Sequence, residues 1–202
     1  MSWNMVSSSS NNDKKETNYA KFNEGDSYIK ILSIEPAIRW QHWVPKVNRA
    51  LTCPGNDICP ICALRKAQKA AGETPNISMS KRFSMVIYNY TTNKEEIMEQ
   101  GTTFFEDLRD IKVDVEKDGK TLRDVQIRVR RRGTGTNTSY RLDVHNDEPI
   151  TKEEQAIIDN IVDLKEFFKP ATVEQCQAAI DGASWEEILE LGKTEEVEYE
   201  VK

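Results

Sequence analysis

The stretch QIRVRRRGTGTNTSYRLDV (126–144) alternates apolar and cationic residues, breaks at Gly133-Thr134-Gly135, and then resumes alternating. Period-two alternation on both sides of a glycine-bearing turn predicts a β-hairpin. On its first strand Ile127 and Val129 face one side, while Arg128, Arg130 and Arg132 face the other. Arg131 adds a fourth positive charge. Such crowding without a nearby acidic partner reads as an anion-binding stripe rather than a solvated sheet face. The glycines are too few and wrongly spaced for a nucleotide-binding phosphate loop.

Working outward, YIKILSI (28–34) predicts a strand that stops before Pro36, and KRFSMVIYNY (81–90) predicts another. TFFEDLRDI (103–111) reads as a helix with a Thr103/Glu106 capping box and a Phe104/Leu108/Ile111 stripe. The text from Ile111 onward then reads as a β-meander whose first turn is Asp118-Gly119. After His145 the pattern becomes helical. Capping boxes are expected at Thr151/Glu154, Thr172/Gln175 and Ser184/Glu187, and Pro170 ends the first of these helices. About five strands with a helix between them predict a mainly β fold with α, a small Greek-key barrel followed by a helical, acidic C-terminal region. Residues 1–20, with their serine run, read as a flexible arm. The core spans 21–146, and the C-terminal region spans 147–202, where Val197, Tyr199 and Val201 alternate as a possible edge strand.

Between the first two predicted strands lies HWVPKVNRALTCPGNDICPIC (42–62), which holds three of the four cysteines and one of the two histidines. Cys59 and Cys62 fit one tight turn with Pro60 between them, and Pro54-Gly55 permits another turn after Cys53. Three cysteines and one histidine are a closed tetrahedral set, so His42, Cys53, Cys59 and Cys62 read as ligands of a structural Zn2+ in a subdomain at about 40–75. A redox Cys-x2-Cys pair would leave Cys53 and His42 surplus. An iron–sulfur cluster would need a remote fourth ligand, and unliganded thiols are the remaining alternative. His145 is the rival for the fourth position. Cys176 reads as a small buried hydrophobe.

The net charge of −6 hides an asymmetry: up to residue 145 basic residues exceed acidic ones by five, and from 146 onward acidic residues exceed basic ones by eleven. No apolar run approaches the ~18 residues of a membrane span. The N-terminus lacks the basic start and apolar stretch of a secretory signal. These features place the chain inside a cell, where thiols stay reduced and clustered cysteines bind metal. Aromatic residues accompany the basic ones: Tyr88 and Tyr90 on one strand, Tyr140 on the hairpin, and Trp40 and Trp43 around His42. Aromatic rings interleaved with lysine and arginine are what sequence-tolerant binding of single-stranded nucleic acid requires.

Together, the His42/Cys53/Cys59-Pro-x-Cys62 set, RFSMVIYNY, and the Arg-x-Gly-x-Gly-x-x-Thr-x-Tyr pattern at Arg131–Tyr140 resemble the zinc-containing single-stranded-DNA-binding proteins of T-even-like phages. The resemblance covers roughly 22–145. It implies an OB-fold-like five-stranded barrel with an inserted zinc subdomain beside a DNA cleft. It also implies an acidic C-terminal region that recruits phage or host replication and recombination proteins. Arg128, Arg130, Arg132, Tyr88, Tyr90 and Tyr140 would contact single-stranded DNA. Trp43, Lys46, Arg49, Lys81 and Arg82 around the zinc loop join them. The N-terminal arm departs from the pattern, because it is not basic. The implied function is non-enzymatic: protecting single-stranded DNA in the cytoplasm of an infected cell during replication, recombination or repair. The alternative is a zinc-containing transcription-regulatory or RNA-binding factor. An enzyme is disfavoured, since no nucleophile–base pair or metal-spaced carboxylate pair stands out.

Overall fold

A computed structural model describes residues 18–192. The expected arm, apart from residues 18–20, and the alternating Val197, Tyr199 and Val201 lie outside the described residues. In chain order the elements are β1 (Gly25–Ile31), β2 (Ala37–Val44), β3 (Arg49–Thr52), α1 (Pro60–Ala70), β4 (Ser78–Asn89), β5 (Lys94–Gln100), α2 (Thr102–Lys117), β6 (Val125–Arg132), β7 (Ser139–Asp147), α3 (Lys152–Asp159), α4 (Leu164–Phe167), α5 (Val173–Asp181) and α6 (Trp185–Leu191). The class is mainly β with α. The described strands number seven rather than five, and their antiparallel sheet is open rather than closed into a ring. No described helix is long and apolar enough to cross a membrane.

The chain divides into two compact units. The larger holds 18–40 and Ser80–Lys169; the smaller holds Gln41–Met79 and 170–192. In the larger unit the strand order is β2-β4-β1-β6-β7, with β5 also pairing β4. Alternation along the strands sends side chains to two faces. Ile29, Ile31, Met85, Ile87, Ile127 and Val129 meet Phe104, Phe105, Leu108 and Val115 of α2 on the first face. Val86 and Tyr88 meet Leu164, Phe167 and Phe168 on the second. Each such buried side chain contributes roughly 1.5–3 kcal/mol. At its N-terminal edge Tyr19 bridges Ile97.

Several elements differ from their sequence expectation for identifiable reasons. Helix α2 starts from Gly101 without a side-chain cap, so the Thr103/Glu106 box does not form. It also runs on through Lys117, where a strand was expected. Ile111-Lys-Val-Asp-Val115 alternates like a strand, but Ile111 and Val115 continue the helical stripe of Phe104 and Leu108 into the core. Val113 is left 47% exposed. Asp118 and Gly119 (φ 71°) therefore end a helix rather than turn a hairpin. The capping boxes at Thr151, Thr172 and Ser184 all form. The first of those helices stops at Asp159, and Asp163 re-caps a short α4 by accepting from the Lys165 amide at 2.8 Å.

The expected 126–144 hairpin forms, and its register sets Arg128 opposite Asp143, Arg130 opposite Arg141, and Arg132 opposite Ser139. Gly133 has φ 78°, and a Cβ there would collide with the Asn137 carbonyl, so the turn requires glycine.

In the smaller unit the second half of β2 pairs with β3, setting His42 opposite Leu51. Its core joins Val44, Leu51, Cys59, Ile61 and Cys62 to Cys176, Ala179 and Ile188 of the last two helices. Thus α3 and α4 belong to the larger unit, and α5 and α6 belong to the smaller. The Ala171 amide donates to the Thr52 carbonyl at 3.0 Å, and Lys46 Nζ donates to the Ile180 carbonyl at 2.7 Å.

Candidate metal centre and basic sheet face

Four local structures deliver the donors of the cysteine cluster. His42 lies on β2, Cys53 directly follows β3, Cys59 is the N-cap of α1, and Cys62 sits in the first turn of α1. Pro60 at the start of α1 suits the fixed proline φ and its missing N–H. The Cys59 amide donates back to the Gly55 carbonyl at 3.0 Å, which closes the loop between Cys53 and Cys59. Gly55 has φ 136°, a conformation other residues rarely adopt.

The potential ligand atoms of His42, Cys53, Cys59 and Cys62 all lie within 4.8 Å of one another. All three cysteines are free thiols. Cys53 Sγ and Cys62 Sγ are 3.7 Å apart, and His42 Nε2 is 3.5 Å from both Cys59 Sγ and Cys62 Sγ. A tetrahedral zinc ion, with bonds of about 2.3 Å to sulfur and 2.0–2.1 Å to nitrogen, sets S···S near ~3.8 Å and S···N near ~3.5 Å. The spacing fits such an ion. The four residues lie close enough to hold a metal.

The protonation chemistry agrees. Burial, and after it the Arg65 guanidinium, lowers the His42 pKa to about 4, so the imidazole is neutral at pH 7 and able to ligate. Its Nε2 faces the sulfurs; Nδ1 is buried without a hydrogen-bond partner among the described residues. Burial first, and then the neighbouring cysteines, pushes the Cys62 thiol up, and burial likewise raises Cys53. Cys53 and Cys62 therefore resist ionising side by side, and a divalent cation removes that resistance. Cys176 is fully buried in the same core, as expected of a small hydrophobe. His145 is placed in the larger unit, against Tyr28, and is not one of the four clustered donors.

The second site is the β1–β6–β7 part of the sheet. On the face turned away from α2 stand Asp26 and Tyr28 of β1, Arg128, Arg130 and Arg132 of β6, and Arg141 and Asp143 of β7. The sequence alternation had put the three arginines together, and the structure does so. It also brings acidic partners that their sequence neighbourhood did not reveal. Arg128 makes a bidentate pair with Asp143 at 2.7 and 2.8 Å, and Arg130 Nε donates to Asp26 at 2.8 Å. These hydrogen bonds hold the Asp143 and Asp26 carboxyls below their ordinary range. Arg132 and Arg141 are exposed. Four arginines against two aspartates leave the face positive.

The other expected DNA contacts are engaged within the fold. Tyr88 is buried beside Leu164 and Phe168. The Tyr90 hydroxyl donates to Glu154 at 2.6 Å. The Tyr140 ring lies 5.5 Å from Phe104 in the α2-side core. Arg82 donates to Glu99 at 3.0 Å, and Lys81 Nζ sits 5.1 Å above the Phe83 ring. In the smaller unit Lys46 holds the Ile180 carbonyl, Arg49 donates to the Asn48 carbonyl at 3.1 Å, and Trp43 is half-buried opposite Ala50. Asp26, Tyr28, Asp143 and Arg141 were missed. Hairpin register places Asp143 opposite Arg128, and DSYIK alternation puts Asp26 and Tyr28 on one face, so the signal was present.

Comparison with known proteins finds no matching family model, no similar curated protein and no similar solved structure.

Proposed function

We propose that the chain is a non-enzymatic, OB-fold-like single-stranded-DNA-binding protein with a structural zinc ion at His42, Cys53, Cys59 and Cys62. The observation that carries this reading is the ladder of Arg128, Arg130, Arg132 and Arg141 on one sheet face, net positive and beside aromatic side chains. A flexible polyanion meets such a face with its phosphates on guanidinium groups and its bases on rings. The zinc would supply binding free energy that organises the smaller unit, with no part in DNA chemistry. The DNA would be a replication, recombination or repair intermediate in a phage-infected cell, and the acidic residues after 146 would meet partner proteins.

Salt-dependent binding of labelled oligo-dT and of duplex DNA tests the reading. The expected result is preference for oligo-dT, with log K falling against log salt by about 0.7 per phosphate engaged. Equal affinity for both DNAs without a salt slope overturns it.

The aspartates give a prediction of opposite sign to ordinary interface mutagenesis. Asp26 and Asp143 stand where phosphate oxygens would bind, so phosphate must displace or share their arginines. Asp143→Asn and Asp26→Asn are each expected to tighten oligo-dT binding several-fold at low salt, because a like charge leaves the face. The cost in stability should be small, since water and salt screen ion pairs at an exposed sheet face. Weaker binding by both variants would show that the carboxylates serve the interface by aiming the arginines.

A further inference from the structure

Beside the arginine ladder lies a shallow groove of about 390 Å³, lined by Asp26, Tyr28, Tyr90, Thr91, Gln126 and His145. Such a volume falls within the range of small-ligand sites. Two of its lining rings touch: Tyr28 and His145 lie with centroids 4.8 Å apart at 56°. The strand irregularity between Gln126 and Ile127 sets His145 here, breaking the strict alternation of β7. Tyr90 contributes its ring, because its hydroxyl is committed to Glu154. Asp26 is committed to Arg130. The Gln126 amide has no hydrogen-bond partner among the described residues, and it offers both a donor and an acceptor.

We infer that this groove seats one unstacked nucleobase, against Tyr28 and His145, with the attached phosphates passing over the ladder toward Arg141 and Arg132. The inference rests on the single-stranded-DNA reading and gives it a place for the base. Three features select this occupant together. The half-buried Tyr28 ring and the exposed His145 ring offer stacking to any base. The Gln126 amide can meet either a donor or an acceptor on a base edge, which suits tolerance of sequence. From Gln126 to Arg132 the strand advances six residues, about 20 Å at ~3.3 Å per residue, so the cations continue away from the groove along one line. An apolar peptide side chain would use neither the amide nor the arginines. A metal cation would face the guanidinium groups that hold Asp26.

The test compares labelled oligo-dT with an abasic oligomer of equal length, in the full protein and in Tyr28→Leu, His145→Leu and His145→Phe. The expected result is a loss of oligo-dT affinity of about 5- to 150-fold in the leucine variants, the range for losing one stacked base. Abasic binding should be unchanged, and His145→Phe should bind as wild type. Rescue by phenylalanine at position 145, and unchanged abasic binding by Tyr28→Leu, exclude misfolding as the cause. If the leucine variants bind oligo-dT normally, or lose both oligomers equally, the base-seating inference fails while single-stranded binding stands. If the unaltered protein binds neither oligomer, the single-stranded-DNA reading itself fails.

Discussion

Removing metal with a strong chelator, or replacing Cys59 with serine, is expected to unfold the smaller unit. The metal-cluster cysteines sit inside its described core, among Val44, Leu51, Ile61, Ile77, Ala179 and Ile188. A small domain buries too little apolar surface to be stable without help. The binding free energy of a structural zinc site, roughly 10–16 kcal/mol at pH 7, is folding free energy in such a case. Without the ion, the buried thiols of Cys59 and Cys62 and the buried His42 ring remain as polar groups facing one another. The consequence reaches beyond the loop, because Cys176 and Ala179 of α5 and Ile188 of α6 share that core. Hydrogen exchange resolves the effect by segment. Amides of Pro60–Ala70 and of Val173–Asp181 should lose protection on chelation, while those of Val125–Arg132 keep theirs. Atomic absorption should find one zinc per chain beforehand. Unchanged protection of both helices after complete chelation would remove the structural role of the metal.

Two kinds of information were legible in the sequence, and they differ in range. Much local chemistry read well: the Gly133-Thr134-Gly135 turn, three of the four expected capping boxes and the clustering of His42 with the cysteines form, while the Thr103/Glu106 box does not. Contacts between distant segments read poorly. β5, with Lys94, Glu95 and Glu96 at its start, shows little strand character, yet Ile97 and Met98 are buried because β5 pairs β4 along its length. The stretch Ile111–Val115 fits two periods, and only the position of the Phe104/Leu108 stripe decides between them. Tyr88 and Tyr140 illustrate the same limit at the candidate site. A tyrosine on a strand has equal reason to stack a base or fill a core, and α4 and α2 respectively settle which. The acidic partners of Arg128 and Arg130 required strand register, information that the hairpin turn carries but composition does not.

Replacing Lys30 with methionine is expected to destabilise the larger unit by about 3–5 kcal/mol, the cost of leaving one member of a buried ion pair alone. Lys30 and Glu154 are essentially inaccessible, and Lys30 Nζ lies 2.9 Å from Glu154 Oε2. Both carboxylate oxygens and two of the three ammonium donors are engaged. Lys30 also donates to the Pro149 carbonyl at 3.1 Å, and Glu154 accepts from the Thr151 amide at 2.8 Å and from the Tyr90 hydroxyl at 2.6 Å. The capping-box glutamate of α3 therefore fastens that helix to β1 and to the end of β4. The double variant Lys30→Met/Glu154→Gln should recover part of the loss, since no buried charge remains. Acid gives a second signature. Burial alone would raise the Glu154 pKa, but the Thr151 amide, Tyr90 hydroxyl and Lys30 ammonium outweigh it and hold the carboxyl below its ordinary value. A depressed folded-state pKa contributes stability above the unfolded value, near ~4.3, and that stability is lost as pH falls through the folded value. The difference in urea midpoint between wild type and Glu154→Gln should therefore be full at neutral pH and shrink below about pH 4. Tyr90 lines the proposed base groove, so the same variants should weaken oligo-dT binding more than abasic binding. A Lys30→Met protein with an unchanged urea midpoint would show that the pair fastens nothing.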